Sequence, residues 1–568
     1  MSPTRSRSAA AAPESFLRSL FLGELRAELL VPYPARPADE RDSTDAMVEA
    51  VTSFAREHID AREIDRRAEI PRAVLNGLAE LGLFGMLVPA EHGGLGLTHT
   101  AYCRVLQALA GHCTASAATV GAHQSIGLKA ILLFGTNAQK SRWLPKLASG
   151  EQLAAFALTE PGAGSDVQAI ATLADPLPDG SWRLRGSKLW ITNGGIAGLF
   201  TVFAKTPDPQ SPGERKLTCF LVPRDAPGVS IGKEEDKMGL KGSSTTAVYF
   251  EDVIVRDEDR VGEVGRGFKI AVEVLNGGRH GLAAGCLGLG RAALDEAVAH
   301  ARTRQQFGKP IVEFALVAEL LANAEADLYA MESGCYWVAG KLDAGARDVA
   351  LESAACKIFA TESLWRIVND CLQVAGGSGF MREYAHERRV RDARVNLIFE
   401  GTNQILRLFL ALQGLRSPGE ELKEVGNALK HPIAGASVLG RFAGKRVRRT
   451  LAPPKWTGVP PELRSEALLA AESARALGAA AEELVRRHRS KVIDEQLALA
   501  PLADAATHLF LMGTILARAM GEAEGGHLGP SARLAMRRLY RRFRDALEAA
   551  QSTDRDLIDA VAVRWRAR

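Results

Sequence analysis

FEGTNQILRLF, residues 399 to 409, governs how the rest of the chain is read. It sets a carboxylate, Glu400, beside a glycine and a small hydroxyl residue, behind an apolar approach of Val395, Leu397, Ile398 and Phe399. A group that removes a weakly acidic C–H proton has to be a poorly solvated carboxylate, because loss of water raises its basicity toward neutrality. Gly401 lets the backbone come close to a ligand, and Thr402 can hydrogen-bond one. Alone, the fragment reads more plainly as a helix-end carboxylate, so its weight depends on the rest of the chain.

Two upstream stretches add to it. FALTEPGAGSD (156 to 166) follows an apolar, strand-like start and turns on Pro161, Gly162 and Gly164. Small residues there leave backbone N–H groups and the Thr159 and Ser165 hydroxyls available to an anionic or heteroaromatic ligand, although a surface turn is the plainer reading. GSKLWITNGG (186 to 195) puts Trp190 and Thr192 in a strand ending in a tight turn, where a core tryptophan is an equal alternative.

Together these runs resemble the acyl-CoA dehydrogenase family. RTRQQFGKPI (302 to 311), CLQVAGGSGFMREY (371 to 384) and MGLKGSSTTAVYFEDVIV (238 to 255) look like the family's sequence in order and spacing. Within it, the chain is most like the very-long-chain subgroup. That likeness rests on SFLRSLFLGELRAELLVPYP (15 to 34), GAHQSIGLKAILLFGT (121 to 136), LNGGRHGLAAG (275 to 285) and a long tail beyond residue 415.

The resemblance implies an α+β fold. Its parts are an N-terminal extension (1–44), an N-terminal helical domain (45–153), a middle β-barrel-like domain (154–265) and a helical bundle (266–415). A basic linker (416–461) and an extra C-terminal helical domain (462–568) follow. It also implies bound FAD and desaturation of a long-chain acyl-CoA thioester to the trans-2-enoyl-CoA in fatty acid β-oxidation. A proton leaves Cα, a hydride leaves Cβ for flavin N5, and the electrons pass to electron-transfer flavoprotein. Glu400 aligns with the family's base. Its backbone N–H and a ribityl hydroxyl of FAD are the implied donors to the thioester oxygen, where enolate-like charge develops. Some members carry the base just before an arginine of the first bundle helix. Arg279 is that arginine here, and the residue before it, Gly278, has no carboxylate.

For the cofactor, the resemblance assigns Phe156, Leu158, Thr159 and Gly164 to the flavin edge and Ser165 to flavin or substrate. Trp190, Ile191 and Thr192 are to cover the isoalloxazine. Arg304, Phe307, Gln373, Gly376 and Gly377 resemble residues that a second subunit of a homodimer lends to the same FAD, a role that suits the arginine fork. Thr402 and Gln404 complete the nucleotide contacts, although position 404 is often Asp in the subgroup. Arg279, Phe399 and Gly401 join Ser165 on the substrate side, with a structural ion pair as the alternative for Arg279. No metal site is implied.

Composition sets the outer bounds. A chain of 568 residues is too long for one core and should divide into several domains. A net charge of +4 gives no argument for nucleic acid. Seven cysteines without a C-x-x-C pair fit a reducing compartment, not a disulfide framework or a zinc site. No apolar run is read as approaching the ~18 residues of a spanning helix. GCLGLG (285 to 290) sits in a helical pattern with no strand before it, so its glycines are expected to permit close packing, not to bind NAD. The opening MSPTRSRSAAAAPE is read as a disordered bacterial N-terminus; the enzyme is then cytoplasmic, with peripheral contact at the inner face of the membrane. If the source is eukaryotic, the location is mitochondrial. Lys430, Arg441, Lys445, Arg446, Arg448, Arg449 and Lys455 lie in a stretch free of acids and suit an anionic membrane surface; a solvated linker is the alternative. Two competing functions remain: a same-fold flavin oxidase, and an assembly or scaffold protein with reduced activity.

Overall fold

The computed structural model describes residues 15–36, 38–346, 348–430, 456–521 and 528–566. The opening fourteen residues and the basic stretch 435–452 lie outside them.

Short helices lead into the sheet: α1 (Phe16–Phe21), α2 (Ala38–His58), α3 (Ala61–Arg67), α4 (Arg72–Glu80), α5 (His99–His112), α6 (Thr114–Ala122), α7 (Lys129–Phe134) and α8 (Asn137–Ala148). Side chains set their starts. The Asp60 carboxylate accepts the Arg62 and Glu63 N–H groups at the head of α3, and Thr136 with Gln139 forms a capping box at α8. The apolar spacing Val51, Ala55, Val74, Leu75 and Leu78 is buried, as a 3.6-residue period requires. Between α6 and α7 the chain makes a π-helical turn, His123–Gly127. Thr201 donates to the Gly127 carbonyl at 2.8 Å, pinning this turn to the sheet.

Eight strands follow: β1 (Leu153–Ala157), β2 (Leu173–Pro176), β3 (Trp182–Thr192), β4 (Ala197–Pro207), β5 (Arg215–Pro223), β6 (Val229–Glu234), β7 (Thr245–Val255) and β8 (Arg260–Val261). They form one mixed sheet in the order β6-β7-β3-β2-β4-β5-β8, with β1 parallel to β4. Alternation divides its faces. Leu199, Phe203, Cys219 and Leu221 pack with α7 and α8, whereas Phe200, Val202, Phe220 and Val222 face Trp182, Val248 and Phe250. The β3–β7 register slips between Lys188 and Ile191, and this bulge becomes important below.

The bundle comprises α9 (Gly267–Asn276), α10 (Arg279–Thr303), α11 (Ala315–Asp343), α12 (Ala350–Ala375), α13 (Gly377–Phe380), α14 (His386–Arg394) and α15 (Asn403–Lys430). The GCLGLG run lies inside α10, where a Cβ on Gly288 would meet the Gln107 carbonyl of α5 at 2.0 Å, so these glycines do permit close helix packing. Last come α16 (Arg464–His488), α17 (Gln496–Gly521), α18 (Pro530–Gln551) and α19 (Arg555–Arg566). They share one core with the bundle, in which Leu364 and Leu410 join Leu477, Phe510 and Leu539. Buried Asp327 on α11 is gripped across this seam by Arg538 and Arg542 of α18 and by Arg366 of α12, at 3.3, 3.0 and 3.5 Å.

One sequence expectation needs correction. Two stretches, Thr114–Phe134 and Gln496–Gly521, are long and apolar enough to cross a membrane. They are core elements of this fold, 61% and 78% buried inside the protein. Their apolarity is spread over alanines and glycines among polar residues, which obscures it in the sequence.

Candidate active site

A cavity of about 940 Å³ opens where α6, the π turn, the sheet and the bundle meet. Glu400 lines it. This residue lies in the loop between α14 and α15 and has φ +55°, a left-handed conformation that costs a non-glycine residue energy. Gly401 follows at φ +93°, which glycine adopts freely. The tight reversal turns the Glu400 side chain into the cavity. Its Oε2 is buried and has no hydrogen-bond partner. Burial raises its pKa above the usual carboxylate value, opposed by the positive charges of Arg279 and Lys357. The neighbouring Gly278 leaves room for it, since a Cβ there would stand 3.3 Å from Glu400 Oε2.

Arg279, at the start of α10, is 7% exposed and donates to Asn276 Oδ1 at 2.6 Å. Its Nε points at the Glu400 carbonyl at 3.5 Å. Burial, partly offset by Glu400, brings its pKa down to about 10. It is thus a buried cation at the site and not a surface ion pair.

The opposite wall comes from the sheet. Phe156, Leu158, Thr159, Gly164, Ser165, Trp190, Ile191 and Thr192 all line the cavity. Trp190 is not the core residue that its strand pattern alone allowed: the β3 bulge places it at φ +54° and leaves it 61% exposed. A large aromatic ring held out of the core at a strained position is a surface waiting for a flat partner. No atom lies within 4 Å of a Cβ on Gly162 or Gly164, so the loop presents bare backbone to open space. These features fit a flavin and its phosphates.

Not every expected residue is here. Phe399, Glu400 and Gly401 line the cavity, but Thr402 and Gln404 do not. The Thr402 hydroxyl accepts the Ile405 N–H at the start of α15, and Gln404 is exposed. Arg304, Phe307, Gln373, Gly376 and Gly377 lie away from the cavity on the exposed surface, with Phe307 93% exposed.

Sequence reasoning missed three buried lysines. Lys188 donates to Glu160 Oε1 at 2.7 Å and to the Leu158 carbonyl at 3.2 Å, tying the glycine-rich loop to β3. Glu160 also accepts the Thr172 N–H at 3.1 Å. Lys357 on α12 is wholly buried, and Lys129 on α7 nearly so. A signal existed for Lys357: it is a lone charge in the apolar run Ala354, Ala355, Cys356, Ile358, Phe359 and Ala360.

A desolvated carboxylate and an exposed aromatic ring lining one large cavity are the apparatus of an oxidoreductase that breaks C–H bonds. The chain belongs to the acyl-CoA dehydrogenase family, whose members act on CH–CH groups. The family's N-terminal, middle and C-terminal domains match residues 41–151, 155–253 and 265–415. A further domain described as "ACAD9/ACADV, C-terminal domain" matches residues 461–542. The chain is 44% identical to the human very long-chain specific acyl-CoA dehydrogenase, mitochondrial, covering 92% of this chain and 81% of that one. It is 40% identical to a 3-(aryl)acrylate reductase of Clostridium sporogenes over 63% of this chain and 94% of the other. Among solved structures, an acyl-CoA dehydrogenase complexed with FAD from Bacillus anthracis matches with TM-score 0.81 and 29% identity, covering 98% of this chain and 96% of that one. Butyryl-CoA dehydrogenase from Megasphaera elsdenii matches at 0.63 and 35%, covering 66% and 98%.

Proposed function

We propose that this enzyme desaturates long-chain acyl-CoA thioesters between Cα and Cβ in fatty acid oxidation, with Glu400 as the base. The observation that carries this reading is the buried, unpartnered Glu400 Oε2 in the cavity wall. A carboxylate without hydrogen-bond donors keeps its basicity for the α-proton. FAD, when bound, supplies the hydride acceptor. Phe156, Leu158, Thr159, Gly164, Ser165, Trp190, Ile191 and Thr192 would hold it against the sheet, Trp190 shielding it from water. The Glu400 N–H is suited to stabilise the oxygen of the thioester as charge builds there.

Preference for long chains is supported by the cavity's inner end, where Ala117, Ala118, Gly121 and Gly285 line it. A Cβ on Gly121 would touch only Leu106, and one on Gly285 only Ala110, at 3.7 and 3.9 Å or beyond. Each methylene accommodated there is worth about 0.8 kcal/mol. A ferricenium-linked assay over saturated acyl-CoAs from C4 to C20 should find the optimum above C8. Glu400→Gln should bind FAD yet lose on the order of 10³-fold in turnover. More than a tenth of normal activity in that variant would remove Glu400 as the base.

Electron-transfer flavoprotein is the acceptor in this reading, and a homodimer completes the FAD site through Arg304, Phe307, Gln373, Gly376 and Gly377. The mitochondrial name of the human relative supports the mitochondrial alternative for location. Membrane contact rests on composition alone, because no acidic residue occurs between Glu424 and Glu462. Deleting 435–452 should abolish co-sedimentation with anionic vesicles at low salt while sparing activity on soluble acyl-CoA; undiminished sedimentation would put the lipid contact elsewhere.

A further inference from the structure

Glu400 stands on a strained turn, and something must hold it there. Two buried cations from different helices approach the carbonyls of that turn. Arg279 of α10 aims Nε at the Glu400 carbonyl, and Lys357 of α12 donates to the Gly401 carbonyl at 2.9 Å. Lys357 has a second acceptor, Asn403 Oδ1 at 2.8 Å. Asn403 is itself fixed, donating to Thr361 Oγ1 at 3.0 Å and Glu362 Oε1 at 3.1 Å. Thr361 in turn donates back to the Lys357 carbonyl at 2.9 Å. The Lys357 ammonium is therefore held by two acceptors, and the residue has no exposed surface.

We propose that Lys357 is a positioning residue for the α-proton abstraction: it clamps the Gly401 carbonyl to keep Glu400 in its left-handed turn, and its charge keeps the desolvated carboxylate ionised. This rests on Glu400 being the base.

The charges around Glu400 are few enough to assign. Arg279 and Lys357 both act to lower its pKa. Tyr102 of α5 and Cys286 of α10 also sense Glu400, but burial pushes the phenol far up and the thiol up to about 12, so both are neutral at physiological pH. Glu362 lies further along α12 and acts on the lysine. Burial brings Lys357 down to about 8, against the pull of Glu400, so it remains mostly charged at neutral pH. An opposite charge nearby favours the ionised form of a carboxylate. Removing one of the two cations should let desolvation carry Glu400 further upward.

The test separates proton abstraction from the full turnover. The FAD-loaded protein is incubated with a saturated acyl-CoA in D₂O, and exchange at Cα is followed by mass spectrometry across pH. Glu400→Gln must abolish exchange; if exchange persists, the base assignment fails and this proposal goes with it. With that control in place, Lys357→Met should slow exchange at neutral pH by about tenfold or more and move the midpoint of its pH profile upward. Lys357→Gln, which keeps a donor but no charge, should show the same midpoint shift with a smaller loss of rate. Lys357→Arg should bring the midpoint back. The midpoint does not depend on how much of each preparation is active, so partial loss of folded protein does not disturb it. Neutral variants that retain the wild-type midpoint, with Glu400→Gln inactive, would overturn the electrostatic role. A Met variant with unchanged rate as well would reduce Lys357 to core packing.

Discussion

Glu400 sits under two opposed influences, burial that disfavours its charge and cations that favour it, and burial prevails. Its ionised form is the reactive one, so flavin reduction by substrate should rise with pH through a midpoint above the ordinary 4.5 of a glutamate. The same shift has a cost in stability. A carboxylate whose folded pKa exceeds its unfolded one binds protons more readily when folded, so stability falls as pH rises between those two values. Glu400→Gln should therefore melt higher than the parent at pH 7 and lose that advantage well below pH 4.5; paired thermal scans at the two pH values decide it. The motif FEGTNQ disclosed which carboxylate matters, but not its positive φ or its lysine clamp. The clamp joins residues 44 positions apart in sequence, a pairing that no local pattern encodes.

At the scale of elements, the site is made where regular structure is interrupted. β3 is bulged at Trp190, a π turn joins α6 to α7, and the α14–α15 connection reverses at Glu400 and Gly401. Helical and strand periodicities were legible in the sequence because they repeat over many residues; a one-residue bulge repeats nowhere, and so the role of Trp190 came from the family resemblance and not from its strand pattern. The C-terminal end of α10 is a different case. Arg304 ends that helix with extended backbone, and the hairpin after it carries Phe307 into solvent. In the proposed homodimer these two residues would reach the partner's FAD. Arg304→Ala should release FAD on dilution and shift the protein to smaller species in size-exclusion chromatography, both to a degree that added FAD reverses. An unchanged FAD-to-protein ratio would argue against a cofactor shared between subunits.

Over the whole molecule, the bundle and the C-terminal helices behave as one body because their apolar core is continuous and Asp327 is sealed between them. Burial alone would raise the Asp327 pKa, but Arg542, Arg366 and Arg538 outweigh it and hold it below the usual aspartate value. The stability from this cluster is thus present above the unfolded value near 3.8 and is lost as pH falls through the depressed one. Asp327→Asn strands several arginines and should cost about 3–5 kcal/mol at pH 7, seen as a lower melting temperature; a change of less than a degree would show the cluster to be dispensable. The N-terminal segment is woven into the same body. Ser15 donates to Glu352 at 2.6 Å, Phe21 fills the space a side chain on Gly414 would need, and Phe16 lies 6.3 Å from the ring of Phe510. The consequence concerns birth and not catalysis. Phe16 leaves the ribosome long before the helix it packs on, and at about 5–20 residues per second it waits on the order of 25–100 s for Phe510 to appear. During that interval α1 exposes Phe16, Leu17, Leu20 and Phe21 without their partners, which makes the nascent amino terminus a natural client for a chaperone.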